Sequence, residues 1–192
     1  MMLDRVRYRV RQFWGAVHAA PEQEDMQLIR DYLSPAQLEL FMHMQTSEQA
    51  HSLQVFREIY SRGAAGHVGA PNDLLVAALL HDVGKIRYPL RVWERALIVL
   101  TQRWMPKQAQ HWGKVIPGKK RSEQDTPARL GWKRAFIVAE QHACWGAELA
   151  SAAGASPLAV TLIRRHQESL SAEPETIEGQ LLQELQSVDN SY

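Results

Sequence analysis

Seven consecutive apolar residues, Leu74 to Leu80, run directly into the polar pair His81-Asp82. A helix made of that run is apolar on every side, so other elements must surround it. Its far end carries an imidazole and a carboxylate, and burying either without a partner costs on the order of several kcal/mol. A chain with this segment needs an enclosing core and, at one end of it, something that satisfies two polar groups.

The rest of the chain reads as helices. Apolar residues recur three and four apart and no run sustains a period of two, so the expected fold class is all-α. Val6, Val10, Phe13, Trp14 and Val17 form one helical stripe, and a short helix is expected over 22–32. Ser34 followed by Pro35 signals the start of a third. Thr46 or Ser47 can cap a helix that carries His51, Val55 and Ile59 on one face and ends near Gly63. Gly63, Gly66, Gly69 and Pro71 mark a loop, Asn72 can cap the apolar helix, and Gly84 is read as its stop.

Between Arg87 and Trp132 the pattern weakens. One helix is expected from Pro89 to Trp104, and the Gly, Pro and Lys rich stretch from Trp112 to Pro127 reads as an insertion or mobile loop. Helix resumes at about Lys133 and runs to about Ala153, with Gly154 as its terminator. Ser156 and Pro157 open a helix holding Leu158, Leu162, Ile163 and His166. A last helix begins near Thr176 or Ile177 and carries Leu181, Leu182, Leu185 and Asp189. No internal repeat is found.

The 192 residues suffice for one well-buried domain, and 45% hydrophobic with 22% charged residues excludes wholesale disorder. Cys144 is the single cysteine, which rules out an intramolecular disulfide and a cysteine-based zinc site and points to a reducing, cytoplasmic location. The first twenty residues alternate Arg5, Arg7, Arg9 and Arg11 with apolar side chains, a pattern of neither a signal peptide nor a membrane span. Charge is unevenly spread. From Lys85 to Arg134 there are thirteen basic and three acidic residues, a surplus of ten against +1 for the whole chain.

Polar residues interrupt the apolar stripes at six places. His51 lies one turn before Val55, His142 one turn before Gly146, His166 one turn after Leu162, and Asp189 one turn after Leu185. His81 and Asp82 end the most apolar helix. Taken singly, a histidine on an apolar face is more often a hydrogen-bonded core residue than a ligand. Six such residues on five helices have one economical solution, a bound metal whose donors converge from facing helices. Without sulfur, the nitrogen and oxygen donors suit a divalent Mn, Fe, Co, Ni, Zn or Mg ion. His43 and His67 have weaker apolar support than His51 as the first donor, and His18 and His111 read as surface residues.

The segment Leu79-Leu80-His81-Asp82-Val83-Gly84-Lys85 resembles the signature of the HD superfamily of metal-dependent phosphohydrolases. His51-Ser52-Leu53 with Val55 resembles its first-histidine helix. Glu140-Gln141-His142 with Gly146-Ala147-Glu148, then Ile163-Arg164-Arg165-His166, resemble the two histidine helices that follow, and Asp189-Asn190 matches the closing aspartate. The resemblance implies a helical bundle over 46–192; outside it, 1–45 is expected as an N-terminal helical extension packed on the core and about 87–132 as a basic insertion. It implies one or two divalent ions: the first on His51, His81, Asp82 and Asp189, the second bridged by Asp82 and held by His142 and His166. Asp82 and Lys85 become the catalytic residues, with Lys85 neutralising a phosphate oxygen while metal-activated water attacks phosphorus.

The expected partner is therefore a phosphate-containing small molecule, nucleotide-like, cleaved at an ester or anhydride. Arg165 precedes His166 where cyclic-dinucleotide hydrolases often pair histidines, and no Gly-Tyr-Pro element follows, which argues against that substrate class. Two alternatives share the ligand set: a di-iron oxidative enzyme, and a non-catalytic metal- or nucleotide-binding module whose basic insertion contacts nucleic acid. The insertion interleaves Trp93, Trp104, Trp112 and Trp132 with its cations. That pattern suits stacking on bases, or packing of the tryptophans onto the core. A third reading makes Arg91, Arg95, Trp93, Leu97, Ile98 and Leu100 an interfacial helix, with a short apolar face.

Overall fold

A computed structural model describes residues 23–65, 71–113, 131–169 and 174–191. The elements are α1 (Gln23–Tyr32), α2 (Pro35–Met42), α3 (Thr46–Ala65), α4 (Asn72–Leu80), a 3-10 turn (Val83–Arg87), α5 (Val92–Trp104), α6 (Pro106–Gly113), α7 (Arg134–Ala152), α8 (Pro157–Arg165) and α9 (Ile177–Asp189). No strand occurs among the described residues, so the all-α expectation holds. The stripe from Val6 to Val17 lies outside them, as does most of the stretch from Trp112 to Pro127.

Most helix starts follow the expected chemistry. Ser34 Oγ accepts from the Gln37 amide while Gln37 Oε1 accepts from the Ser34 amide, closing a reciprocal cap ahead of Pro35. Ser156 Oγ accepts from the Ala159 amide and Thr176 Oγ1 from the Gly179 amide. Gly154 ends α7 at φ 77°, the left-handed conformation that only glycine adopts cheaply.

Five expectations need correction. Neither Thr46 nor Ser47 caps α3, since both are already helical and Gln45 precedes them. Pro71, not Asn72, holds the cap position of α4, and Asn72 is already helical. The helix stops at Leu80, before Gly84, which sits inside the 3-10 turn. The expected helix from Pro89 starts three residues later, at Val92, with Arg91 extended at its cap position. A short helix, α6, follows it where the apolar pattern was too weak to read.

Two buried clusters form the interior. The larger draws on α1 to α4 and α7 to α9, with Phe41, Phe56, Ile59, Leu79, Leu162 and Leu185 fully buried. Ile29, Leu33, Phe41 and Met44 belong to it, so residues 23–45 share the main core. The smaller cluster joins Leu90 and Ile98 to Ala135, Ile137, Val138 and Trp145 of α7, and attaches the insertion to the bundle.

Two helices fix the depth of the site. Helices α4 and α8 are each nine residues long. They start together, Ser156 Oγ donating to Asp73 Oδ1 at 2.5 Å, and pack along one another. Equal length from a shared start brings their last residues level, and those C-terminal caps are His81 and His166.

Candidate metal centre

Four imidazoles line up across the bundle. Ring centroids lie 5.3 Å apart for His51 and His81, 5.2 Å for His81 and His166, and 5.2 Å for His142 and His166. Helix α3 supplies His51 and α7 supplies His142; α4 and α8 present theirs at their ends. Asp82 and Asp189 enter between the rings. His51 Nε2 donates to Asp189 Oδ1 at 2.7 Å, and His81 Nε2 lies 3.5 Å from the same oxygen. On the other side His142 Nε2 is 3.2 Å from Asp82 Oδ1, and His81 Nε2 is 3.8 Å from Asp82 Oδ2.

The three buried rings share one hydrogen-bonding habit. His81 Nδ1 donates to the Ala78 carbonyl at 2.9 Å, His166 Nδ1 to that of Ile163 at 2.7 Å, and His142 Nδ1 to that of Ala139 at 2.9 Å. A ring whose Nδ1 keeps the proton presents Nε2 as a lone pair. Nε2 of His81 and of His142 is buried and makes no hydrogen bond of acceptable geometry. Such an atom is rare in a folded protein unless something outside the chain takes it. Backbone-anchored imidazoles with a free second nitrogen are the arrangement that metal-binding histidines adopt.

Two donor groups result: His51, His81 and Asp189, and Asp82, His142 and His166, with donor atoms in each within 4.8 Å of one another. Either group could hold a metal ion, and the second is buried throughout. All six residues singled out in the sequence meet here. His43 is exposed and turned to the Glu39 carbonyl, and His111 is exposed, so neither competes with His51. His18 and His67 lie outside the described residues.

Electrostatics keeps the carboxylates ionised. Burial alone would raise the Asp82 pKa, but Lys85, His81 and His142 outweigh it and hold the group well below the usual carboxylate range. Burial likewise opposes ionisation of Asp189, and the His51 hydrogen bond with the His81 ring close by reverses the effect. For His166, Asp82 lies within 4.8 Å and favours the charged ring, but it is outweighed. Burial, with His81 and His142 beside it, lowers its pKa to about 3, so the ring is neutral at ordinary pH. For His81, burial is overcome by Asp82 and Asp189, and its pKa rises.

Access is graded. His81, Asp82, His142 and His166 are buried, whereas the side chains of His51 and Asp189 are 28% and 23% exposed. The Lys85 side chain is 21% exposed and its Nζ lies 2.5 Å from Asp82 Oδ2. Asn190 points elsewhere, donating to the Gln186 carbonyl of its own helix.

Sequence reasoning missed two positions. Glu48 is only 3% exposed and lies one turn before His51 in α3. Arg95 of α5 reaches it at 2.8 Å, also bonding Ser47 Oγ at 2.8 Å and Gln45 Oε1. Burial raises the Glu48 pKa, with Lys85 acting against that and Asp82 with it. The available signal was an acid three residues past Gln45, whose amide donates to Glu48 Oε2 at 3.2 Å. Gly84 is the second. A Cβ there would overlap the His142 carbonyl oxygen and come within 2.6 Å of the Gly146 nitrogen. The His81-Asp82 corner and α7 touch backbone to backbone, which brings Asp82 to His142.

No family model, no curated protein and no solved structure matches the chain.

Proposed function

We propose that this protein is a metal-dependent phosphohydrolase of the HD type, with one ion on His51, His81, Asp189 and Asp82 and a second on Asp82, His142 and His166. The observation that carries the reading is the pair of buried Nε2 atoms on His81 and His142 that no protein group satisfies, each on a ring anchored through Nδ1. Divalent metal at such a site supplies Lewis acidity toward a phosphate oxygen and makes water a usable nucleophile near neutral pH.

The chain's own residues do the remaining work. Backbone carbonyls of Ala78, Ala139 and Ile163 hold the Nδ1 protons, so three rings are fixed with Nε2 toward the centre. Asp82 stays anionic between the two groups under Lys85, His81 and His142. The exposed edge formed by His51, Asp189 and Lys85 is the side from which substrate enters, and Lys85 Nζ there neutralises an entering phosphate oxygen. Buried flanks exclude water from the other sides. Cationic Lys85 at the mouth favours a phosphate-bearing substrate over the neutral one that an oxidative di-iron reading would suit.

The test is to purify the protein without chelator, count metals by mass spectrometry, and assay phosphate release from nucleotides and phosphodiesters with Mn, Co, Ni or Mg. Expected are bound metal and turnover, both lost in His81→Ala and Asp82→Ala, and a fall of about tenfold or more in catalytic efficiency for Lys85→Ala. Metal-loaded protein that consumes oxygen and releases no phosphate overturns the proposal.

A further inference from the structure

Helix α5 keeps two unlike faces. Glu94 and Ile98 are buried on the side that meets α7, and Leu97 and Thr101 flank them. The opposite side is apolar and open: Val92 is 54% exposed, Trp93 52%, Val99 64%, Leu100 57% and Trp104 80%, with Ala96 exposed between them and Met105 47% exposed at the end. These positions recur three and four apart and form one stripe along the helix. The face drawn from the sequence, with Leu97 and Ile98 in it, is rotated: those two turn inward and Val92, Val99 and Trp104 take the outer side. Large apolar side chains exposed in a row on a folded protein mark a place where something binds.

Charge narrows what binds. Arg91 and Lys107 are exposed at the two ends of the stripe, and Lys133 is exposed beside Trp132. Among the described residues of the insertion the only acid is Glu94, which is buried and accepts from the Arg91 amide at 2.7 Å. The face is thus apolar, framed by cations and free of exposed carboxylates. A second copy would set cations against cations. So would the chain's own first residues, where Arg5, Arg7, Arg9 and Arg11 recur.

Side-chain type separates the anionic partners. Single-stranded nucleic acid uses flat rings on which bases stack. Here Trp112 and Trp132 are engaged with each other at 4.7 Å and with Phe136, and the centre of the stripe is aliphatic: Ala96, Val99 and Leu100. Aliphatic centre, tryptophan at either end and a cationic border are what a helix lying in a bilayer interface presents. No described helix is long and apolar enough to cross a membrane.

We infer that the outer face of α5, through Val92, Trp93, Val99, Leu100 and Trp104 with Arg91 and Lys107, docks the protein in plane on an anionic lipid surface. The aliphatic row enters the boundary between headgroups and acyl chains while the cations meet lipid phosphates. This holds whatever the bundle's metal centre catalyses.

Flotation of the full chain with phosphatidylcholine vesicles, with and without about 30% phosphatidylglycerol, tests it. Expected are co-flotation with the anionic vesicles only, loss at high salt, and a blue shift of tryptophan emission on binding. Val99→Glu with Leu100→Glu should weaken partitioning by about tenfold or more. Because both positions face solvent, circular dichroism and bound metal should stay at parent levels, which separates lost docking from lost folding. Failure to float with anionic vesicles overturns the inference. So does binding to single-stranded oligonucleotide with no vesicle binding, or a concentration-dependent dimer that the same double variant abolishes.

Discussion

His166 is the ring whose protonation the fold opposes most clearly. It sits at the end of α8 with burial and two neighbouring imidazoles against its charge, and its pKa falls from 6.5 to about 3. Between those values the unfolded chain binds a proton that the folded chain refuses, so stability must decline as pH falls across that window. The loss begins near pH 6.5 and is complete near pH 3. In chelator-treated protein, denaturant unfolding from pH 7 downward should show this decline, and His166→Phe should flatten it. An identical slope in the variant would mean that His166 is solvated in the folded state. Asp189 and Asp82, held ionised by their neighbours, act in the same direction, and His81, whose pKa rises, opposes them.

Between elements, the decisive contact is the one without side chains. Gly84 lets the 3-10 turn approach α7 until only backbone separates them, and on the facing side a Cβ added to Gly146 would lie 3.2 Å from the Gly84 nitrogen. Gly84→Ala should cost about 3 kcal/mol through overpacking. It should also weaken metal binding by separating Asp82 from His142, measured by denaturation and by metal titration. Retention of parent affinity would show that the corner has another way to close. That contact also marks what the sequence could reveal. Helices and donor residues were legible because burial and capping leave periodic traces, as at Ser34, Ser156 and the stripe of Leu162 and His166. Gly84 was legible only as a glycine, since close approach to a helix sixty residues onward leaves no local pattern. The outer face of α5 was misphased for a related reason: Leu97, Ile98, Val99 and Leu100 are all apolar, and only the packing of Ile98 on α7 decides which side is in.

For the whole molecule, the insertion and the bundle are coupled through a clamp as well as a cluster. Arg95 reaches from α5 to Glu48, Ser47 and Gln45 at the start of α3, one turn from His51. Removing the cation in Arg95→Met strands a buried carboxylate, at a cost of about 2 kcal/mol. Adding Glu48→Gln should recover much of that in denaturant unfolding, and a double variant no better than the single would place the cost elsewhere. The twin helices α4 and α8 carry a different implication. Tied at Ser156 and Asp73 and equal in residue number, they work as a pair of matched spacers, setting His81 and His166 to one level by counting residues. One residue more in either would turn its terminal ring by about 100° and lift it about 1.5 Å. Insertions outside the pair leave that level untouched, but neither spacer can change length alone without unseating its ring.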